Sequence, residues 1–418
     1  MKKEETAQDA EPVKETPAVI AEEMSFGTLR KLAGTIGRAV ENEAWEELSS
    51  LFWDGLEKRP DAVNIEEAFS DLHAGGVKLA DTAALMDTDV RGGYAVFEGE
   101  NGIYEAVFTA DENLHLLSLV FAERRTGSRP ESSDTFEEYE ITAGNAPRIS
   151  GMLTMPKEAE EPVVAILLPE EIDDAMDESG SNLTFRKDLA HGLAEKGIAS
   201  VRFDMRCWED PLLVPVFGMS FDRTISRDFA SIVHTLEQYP VNARKIIYIG
   251  HGPAGSLGYS AVAHHYEMDG GLVLLNSPYT EDGVHLLQRA AWLEESAAEE
   301  AKEMLEMEKE EQYEIAGFPP SFWQAWQEHG ALNYTRRISI PILILQAEAD
   351  GVVYFKKDYE DWKSQKGSNV TMKSYPDLGH DLINKEEVFE PQICEDIAAW
   401  INGEDINKKK TSKTGGKS

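Results

Sequence analysis

The apolar positions nearest the N-terminus follow helical spacing, with Leu29, Leu32, Ile36, Val40, Trp45, Leu48 and Leu51 recurring at threes and fours. The pattern then changes to short alternating runs, Gly93 to Glu98, Ile103 to Thr109 and Leu114 to Phe121, which predict an antiparallel meander. Helices followed by strands predict a small α+β domain over residues 25–125. Past a polar stretch from Arg124 to Asp134, continuous apolar runs replace alternation: Val163 to Leu168, Ala199 to Phe203, Lys245 to Ile249, Leu272 to Leu275, Ile342 to Leu345 and Val370 to Ser374. Runs of this kind are strands buried on both faces of a parallel sheet. Between them lie amphipathic helical stripes such as Phe185, Leu189, Leu193 and Phe229, Ile232, Val233, Leu236. Phe136 to Thr142 and Ile149 to Met155 come first and predict the antiparallel edge of a mixed sheet, in an α/β domain over 136–404.

One stretch interrupts the alternation. Residues 280–334 are Glu-rich and helical in pattern, with Leu286, Leu287, Trp292, Met304, Phe322, Trp323 and Trp326 among the polar residues. Inserted between two strands, this stretch is expected to cap the C-terminal edge of the sheet, where open α/β folds bind ligands. The two ends read as tails: residues 1–24 are acidic and poor in aromatics and cannot bury enough to offset their ordering entropy, and residues 405–418 read as a short, solvated basic tail.

Composition narrows the function. Of the 418 residues, 77 are acidic and 40 basic, a net charge of −37 that repels phosphate backbones and argues against a nucleic-acid partner. The two cysteines, Cys207 and Cys394, form neither a disulfide framework nor a CxxC motif. No run approaches the roughly 20 apolar residues that cross a bilayer, and the N-terminal residues lack the apolar stretch of a signal peptide. A cytoplasmic protein without a membrane partner is expected, and nothing in the sequence sets its oligomeric state.

The candidate chemistry centres on Ile246-Ile247-Tyr248-Ile249-Gly250-His251-Gly252-Pro253-Ala254-Gly255-Ser256-Leu257, a strand that turns through small residues straight into a helix. Such a turn is built like a nucleophile elbow. Here the chain resembles the α/β-hydrolase family, in particular its bacterial acyl-esterase, serine-aminopeptidase and dienelactone-hydrolase-like branches, whose pattern at this turn is Gly-His-Ser-x-Gly-Gly. The resemblance spans most of residues 136–402 and includes the Asp204-Met205-Arg206 turn. It implies Asp350, in Gln346-Ala347-Glu348-Ala349-Asp350, as the acid and His380, in Tyr375-Pro376-Asp377-Leu378-Gly379-His380, as the base. The order elbow, acid, histidine is the one this fold uses. The N-terminal segment resembles, in layout, the nuclear-transport-factor-like module that precedes some bacterial α/β-hydrolases.

Departures from the family pattern are as informative as the matches. Gly252 occupies the nucleophile position and has no side chain, so no covalent acyl intermediate can form there. Pro253 occupies the position whose backbone N–H stabilises the oxyanion, and proline has no N–H. After Val163 to Leu168, where the family carries His-Gly, this chain reads Pro169-Glu170-Glu171-Ile172-Asp173-Asp174, which sets carboxylates against a developing negative charge. The resulting expectation is an esterase-like protein that is non-catalytic and binds a small molecule or a partner. The alternative is an active carboxylic-ester or peptide hydrolase that uses Asp350 and His380 with water or an unrecognised nucleophile.

Weaker signals accompany these. Gly250-x-Gly252-x-x-Gly255 matches the dinucleotide fingerprint in its letters, but the loop contains a proline and the next strand ends Leu275-Asn276-Ser277-Pro278 without the acidic residue that would hold a ribose. Glu170, Glu171, Asp173, Asp174, Asp177 and Glu178 lack EF-hand spacing and read as a solvated loop. His251, His264 and His265 have no metal-ligand spacing, and Ser256 lies a turn into the helix and reads as packing. No cofactor or metal is expected.

Overall fold

The computed structural model describes residues 24–52, 65, 69, 76–86, 91–100, 102–124, 128–144, 149–168, 175–177, 184–205, 208, 227–252, 255, 270–279, 339–364, 367–386 and 388–408. The insertion predicted over 280–334, Ser256, His264, His265 and the 1–23 and 409–418 ends lie outside this set. The chain divides into two compact units, residues 1–121 and 122–418.

In the first unit, α1 (Phe26–Glu41) opens with a capping box: Ser25 Oγ accepts the Thr28 amide at 3.2 Å and Thr28 Oγ1 accepts the Ser25 amide at 2.9 Å. A short α2 (Trp45–Ser50) follows, then a four-stranded sheet in the order β1 (Lys78–Met86), β2 (Arg91–Glu98), β3 (Ile103–Ala110), β4 (Leu116–Arg124). The apolar stripe of α1, through Leu29, Ile36 and Val40, joins Phe97, Phe108 and Leu116 in one buried cluster. Strand β1 was not foreshadowed by the hydrophobic pattern. Its burial alternates poorly, with only Ala83 fully buried, so it carries little apolar periodicity.

The second unit is built on an eight-stranded sheet. Its strands are β5 (Phe136–Ala143), β6 (Ile149–Pro156), β7 (Val163–Leu168), β8 (Ala199–Phe203), β9 (Asn242–His251), β10 (Gly271–Leu275), β11 (Ile342–Ala347) and β12 (Val370–Tyr375). Across the sheet the order is β5-β6-β8-β7-β9-β10-β11-β12. Strand β6 pairs antiparallel with both β5 and β8, and every other pairing is parallel. This order, with its single antiparallel strand second from the edge, is the α/β-hydrolase fold. Among the described residues no helix is long and apolar enough to cross a membrane.

Each face of the sheet has its own core. One face packs Val164, Ile166, Tyr248, Leu274 and Ile344 against α4 (Arg227–Leu236) and Trp362 of α5 (Phe355–Ser364). The opposite face packs Leu167, Ile249, Val273 and Leu345 against α3 (Phe185–Ala194) and α6 (Gln392–Ile401). Helices α3 and α6 approach closely: a Cβ added to Gly192 would stand 2.6 Å from Cys394 Sγ. Burial pushes the Cys394 thiol up to about 12. The first residues of the tail expected over 405–418 are instead packed: the described chain continues to 408, with Ile406 buried in the same core and Asn407 Nδ2 donating to the Met372 carbonyl at 3.4 Å.

Candidate active site at the C-terminal edge of the sheet

Strand β9 ends at His251, and the chain turns sharply at Gly252, whose φ of +52° lies in the left-handed region that side-chain-bearing residues avoid. The turn is closed by Gly252 donating its N–H to the Leu275 carbonyl at 2.9 Å and by the Gly255 amide reaching the Gly252 carbonyl at 3.2 Å. The chain therefore turns in a left-handed conformation at a residue with no side chain. Pro253 and Ser256 lie outside the described residues. Ser277, a hydroxyl at the end of the neighbouring strand, is fully buried and donates to the Leu275 carbonyl at 3.3 Å.

Asp350 and His380 come together from loops that follow β11 and β12. His380 Nδ1 donates to Asp350 Oδ2 at 2.9 Å, and both side chains are largely shielded from solvent. The other oxygen of Asp350 accepts the Val352 and Val353 amides at 2.7 and 2.9 Å, so the carboxylate is fixed at both ends. A carboxylate held in this way sets the tautomer and the plane of the imidazole it receives.

Two further side chains support the histidine loop, and neither was picked out as a functional residue by the sequence pattern. His251 Nε2 donates to the His380 carbonyl at 2.9 Å, and its ring lies between those of Phe185 and His380, with centroids 4.4 and 4.5 Å away. Asn276 Nδ2 donates to the same carbonyl and reaches the Gly379 carbonyl at 3.3 Å, while its Oδ1 accepts the Ala347 amide at 2.6 Å. Asn276 does this from a positive φ of +47°, a conformation asparagine tolerates better than most residues. One side chain thus joins the ends of β10 and β11 to the histidine loop. The sequence signal for it was slight: an Asn at a strand end followed by Ser277-Pro278.

The segment after β7 also differs from a solvated loop in the part described. Ala175 and Met176 are buried, the Met176 amide donates to Asp204 Oδ1 at 2.7 Å, and Arg186 Nε donates to the Met176 carbonyl at 3.2 Å. Asp177 accepts from Nε of the fully buried Arg202. Arg202 Nη1 in turn donates to Glu138 Oε1 at 2.7 Å and to Thr154 Oγ1 at 3.0 Å. His191 Nε2 adds a 2.8 Å bond to the same Glu138 oxygen. Burial draws the Glu138 carboxyl upward, but the bonds from His191 and Arg202, the guanidinium charge and the Glu131 amide outweigh it and hold the group well below the usual carboxylate range. The anchor under this loop is structural: Arg202 joins Glu138 and Asp177 through Nη1 and Nε, while its Nη2 is buried without a partner among the described residues.

Among the described residues no group of His, Cys, Asp and Glu has the arrangement of a metal site.

No protein-family model matches the chain. Esterase EstD of Thermotoga maritima is 25% identical over 334 residues, covering 72% of this chain and 77% of that protein. Among solved structures, the esterase domain of a Rhodothermus marinus protein is 13% identical at a TM-score of 0.43, covering 64% of this chain and 98% of its own. A highly thermostable carboxyl esterase from Bacillus coagulans is 16% identical at a TM-score of 0.44, covering 65% and 99%.

Proposed function

We propose that this chain, which belongs to the α/β-hydrolase family, is an esterase-like protein that binds a small molecule at the C-terminal edge of its sheet without forming an acyl-enzyme. The observation that carries the proposal is Gly252 at the elbow, at φ +52° and with no side chain, beside an acid–histidine pair still joined at 2.9 Å. Glycine relieves a strain of order 1–3 kcal/mol that a serine would bear in such a turn. It also removes the only atom at that position able to attack a carbonyl. Pro253 removes an oxyanion donor, and losing one such donor costs roughly a hundredfold to a thousandfold in rate. The acid–histidine pair is retained while the attacking hydroxyl is gone.

The intact pair favours one second reading. His380, oriented by Asp350, accepts a proton from water; the hydroxide adds to an ester carbonyl; and the alcohol leaves with that proton, with no covalent step on the protein. General-base help of this kind contributes roughly a hundredfold to ten-thousandfold.

A fluorophosphonate probe and a panel of activated esters distinguish the two on purified protein. The expected result is no labelling and no turnover above the His380→Ala background. Ester hydrolysis lost in His380→Ala would establish the water mechanism, and labelling of any serine in a His380-dependent manner would overturn both readings. Gly252→Ser is expected to restore little turnover, because Pro253 still withholds its amide; strong rescue would show the oxyanion argument to be wrong.

A further inference from the structure

Beside the acid–histidine pair, on the face of the sheet that packs against α5, two buried oxygen atoms have no hydrogen-bond partner: Gln346 Oε1 and Asp358 Oδ2. Gln346 is the last polar position on β11 and shares its face with Ile342 and Ile344, whose core includes Trp362 of α5. Its amide orientation is fixed, since Nε2 donates to the Ser277 carbonyl at 2.9 Å and turns Oε1 away from it. Asp358, in the first turn of α5, is fully buried and accepts the Tyr279 amide at Oδ1, 2.9 Å. Trp362, one turn further along α5, donates Nε1 to the same Ser277 carbonyl at 3.1 Å, and its ring meets that of Tyr279 edge-on at 5.0 Å. Both orphan oxygens therefore belong to side chains tethered to one short stretch, Ser277 to Tyr279.

The chemistry missing from this cluster is a donor that also carries positive charge. A buried carboxylate without a cation is among the costlier arrangements in a protein interior. Burial pushes the Asp358 carboxyl up to about 6, and the charges of Asp361 and Asp350 add to the rise against the Tyr279 amide and Lys357. Lys357 does not neutralise it directly: its ammonium bonds Asp361 at 2.5 Å and is 43% exposed. A bridging water would satisfy hydrogen bonds but not charge. A divalent metal wants six or more oxygens, more than these two side chains supply. An ammonium group matches the set, with N–H donors for two acceptors and a cation beside the Tyr279 and Trp362 rings.

We propose that Gln346 and Asp358 form the recognition site for a primary ammonium group, so that the small molecule held at this edge is an amine. The inference rests on the proposed non-catalytic binding role and gives that role a ligand class.

The test uses the full chain at pH 8 with methylammonium and ethanolamine as probes, and tetramethylammonium, sodium, calcium and acetate as controls, read by calorimetry and thermal midpoint. Primary amines are expected to bind and raise the midpoint, the controls to do neither, and Asp358→Asn to weaken amine binding at least tenfold. Asn retains an oxygen for the Tyr279 amide, so this variant keeps the fold. Gln346→Glu, with a second carboxylate, is expected to tighten amine binding several-fold. Equal response to tetramethylammonium or sodium, or full binding in Asp358→Asn, would overturn the assignment. Those results leave the non-catalytic reading standing, since that reading falls only to ester turnover or serine labelling.

Discussion

Glu138 and Asp358 are both carboxylates with fully buried side chains in the same unit, yet their surroundings push them in opposite directions. Glu138 receives Arg202, His191, Thr154 and the Glu131 amide and is held ionised below the usual range. Asp358 receives a single backbone amide and rises to about 6. The first lies on the antiparallel edge of the sheet and finishes a structural joint. The second lies beside the acid–histidine pair, at the edge where this fold places its ligands. A buried carboxylate joined to a cation completes a structural pair, whereas Asp358 has a backbone amide and, among the described residues, no cation bonded to it.

Breaking the Glu138–Arg202 pair should have the largest effect. Arg202→Met leaves Glu138 buried without its cation and is expected to cost about 3–5 kcal/mol in denaturant unfolding. Adding Glu138→Gln should recover much of that loss, and failure to recover would mean that Arg202 matters mainly through Asp177.

Asp358 should respond in the opposite sense. The folded pKa of Asp358 lies above its ordinary value of 3.8, so the stability it lends is present below that value and is lost as pH rises through about 6. Asp358→Asn is therefore expected to stabilise the ligand-free protein by roughly 1–3 kcal/mol at pH 8 and by almost nothing at pH 4. A variant less stable than wild type at pH 8 would show that the charge is already compensated. The smallest effect is expected from His191→Ala, which removes one donor to Glu138 and a ring stacked on Phe136 at 4.1 Å, for about 1 kcal/mol.

The hydrolase-fold unit was largely legible from sequence because its strands are buried on both faces and leave uninterrupted apolar runs. Val163–Leu168 and Ala199–Phe203 match their predicted bounds, and the others differ by a few residues at their ends. Strand β1 escaped because the run Lys78–Met86 is half-exposed along most of its length and has no apolar alternation to follow. At the site, Gly252, Asp350 and His380 stood in recognisable local patterns. Asn276 and His251 did not, since their role is a shared bond to a carbonyl more than a hundred positions away, which no local spacing encodes. Asp358 was hidden for a different reason: Phe355-Lys356-Lys357-Asp358-Tyr359-Glu360-Asp361-Trp362 reads as a solvated helix face, and only Trp362 four positions on hints at the buried stripe.

The sulfur of Cys394 fills the notch that Gly192 leaves on α3, and its proton is held far more tightly than in a free thiol. A group that stays protonated is a poor nucleophile toward peroxide or a disulfide. Residue 394 is therefore a poor target for oxidation while α3 and α6 remain together.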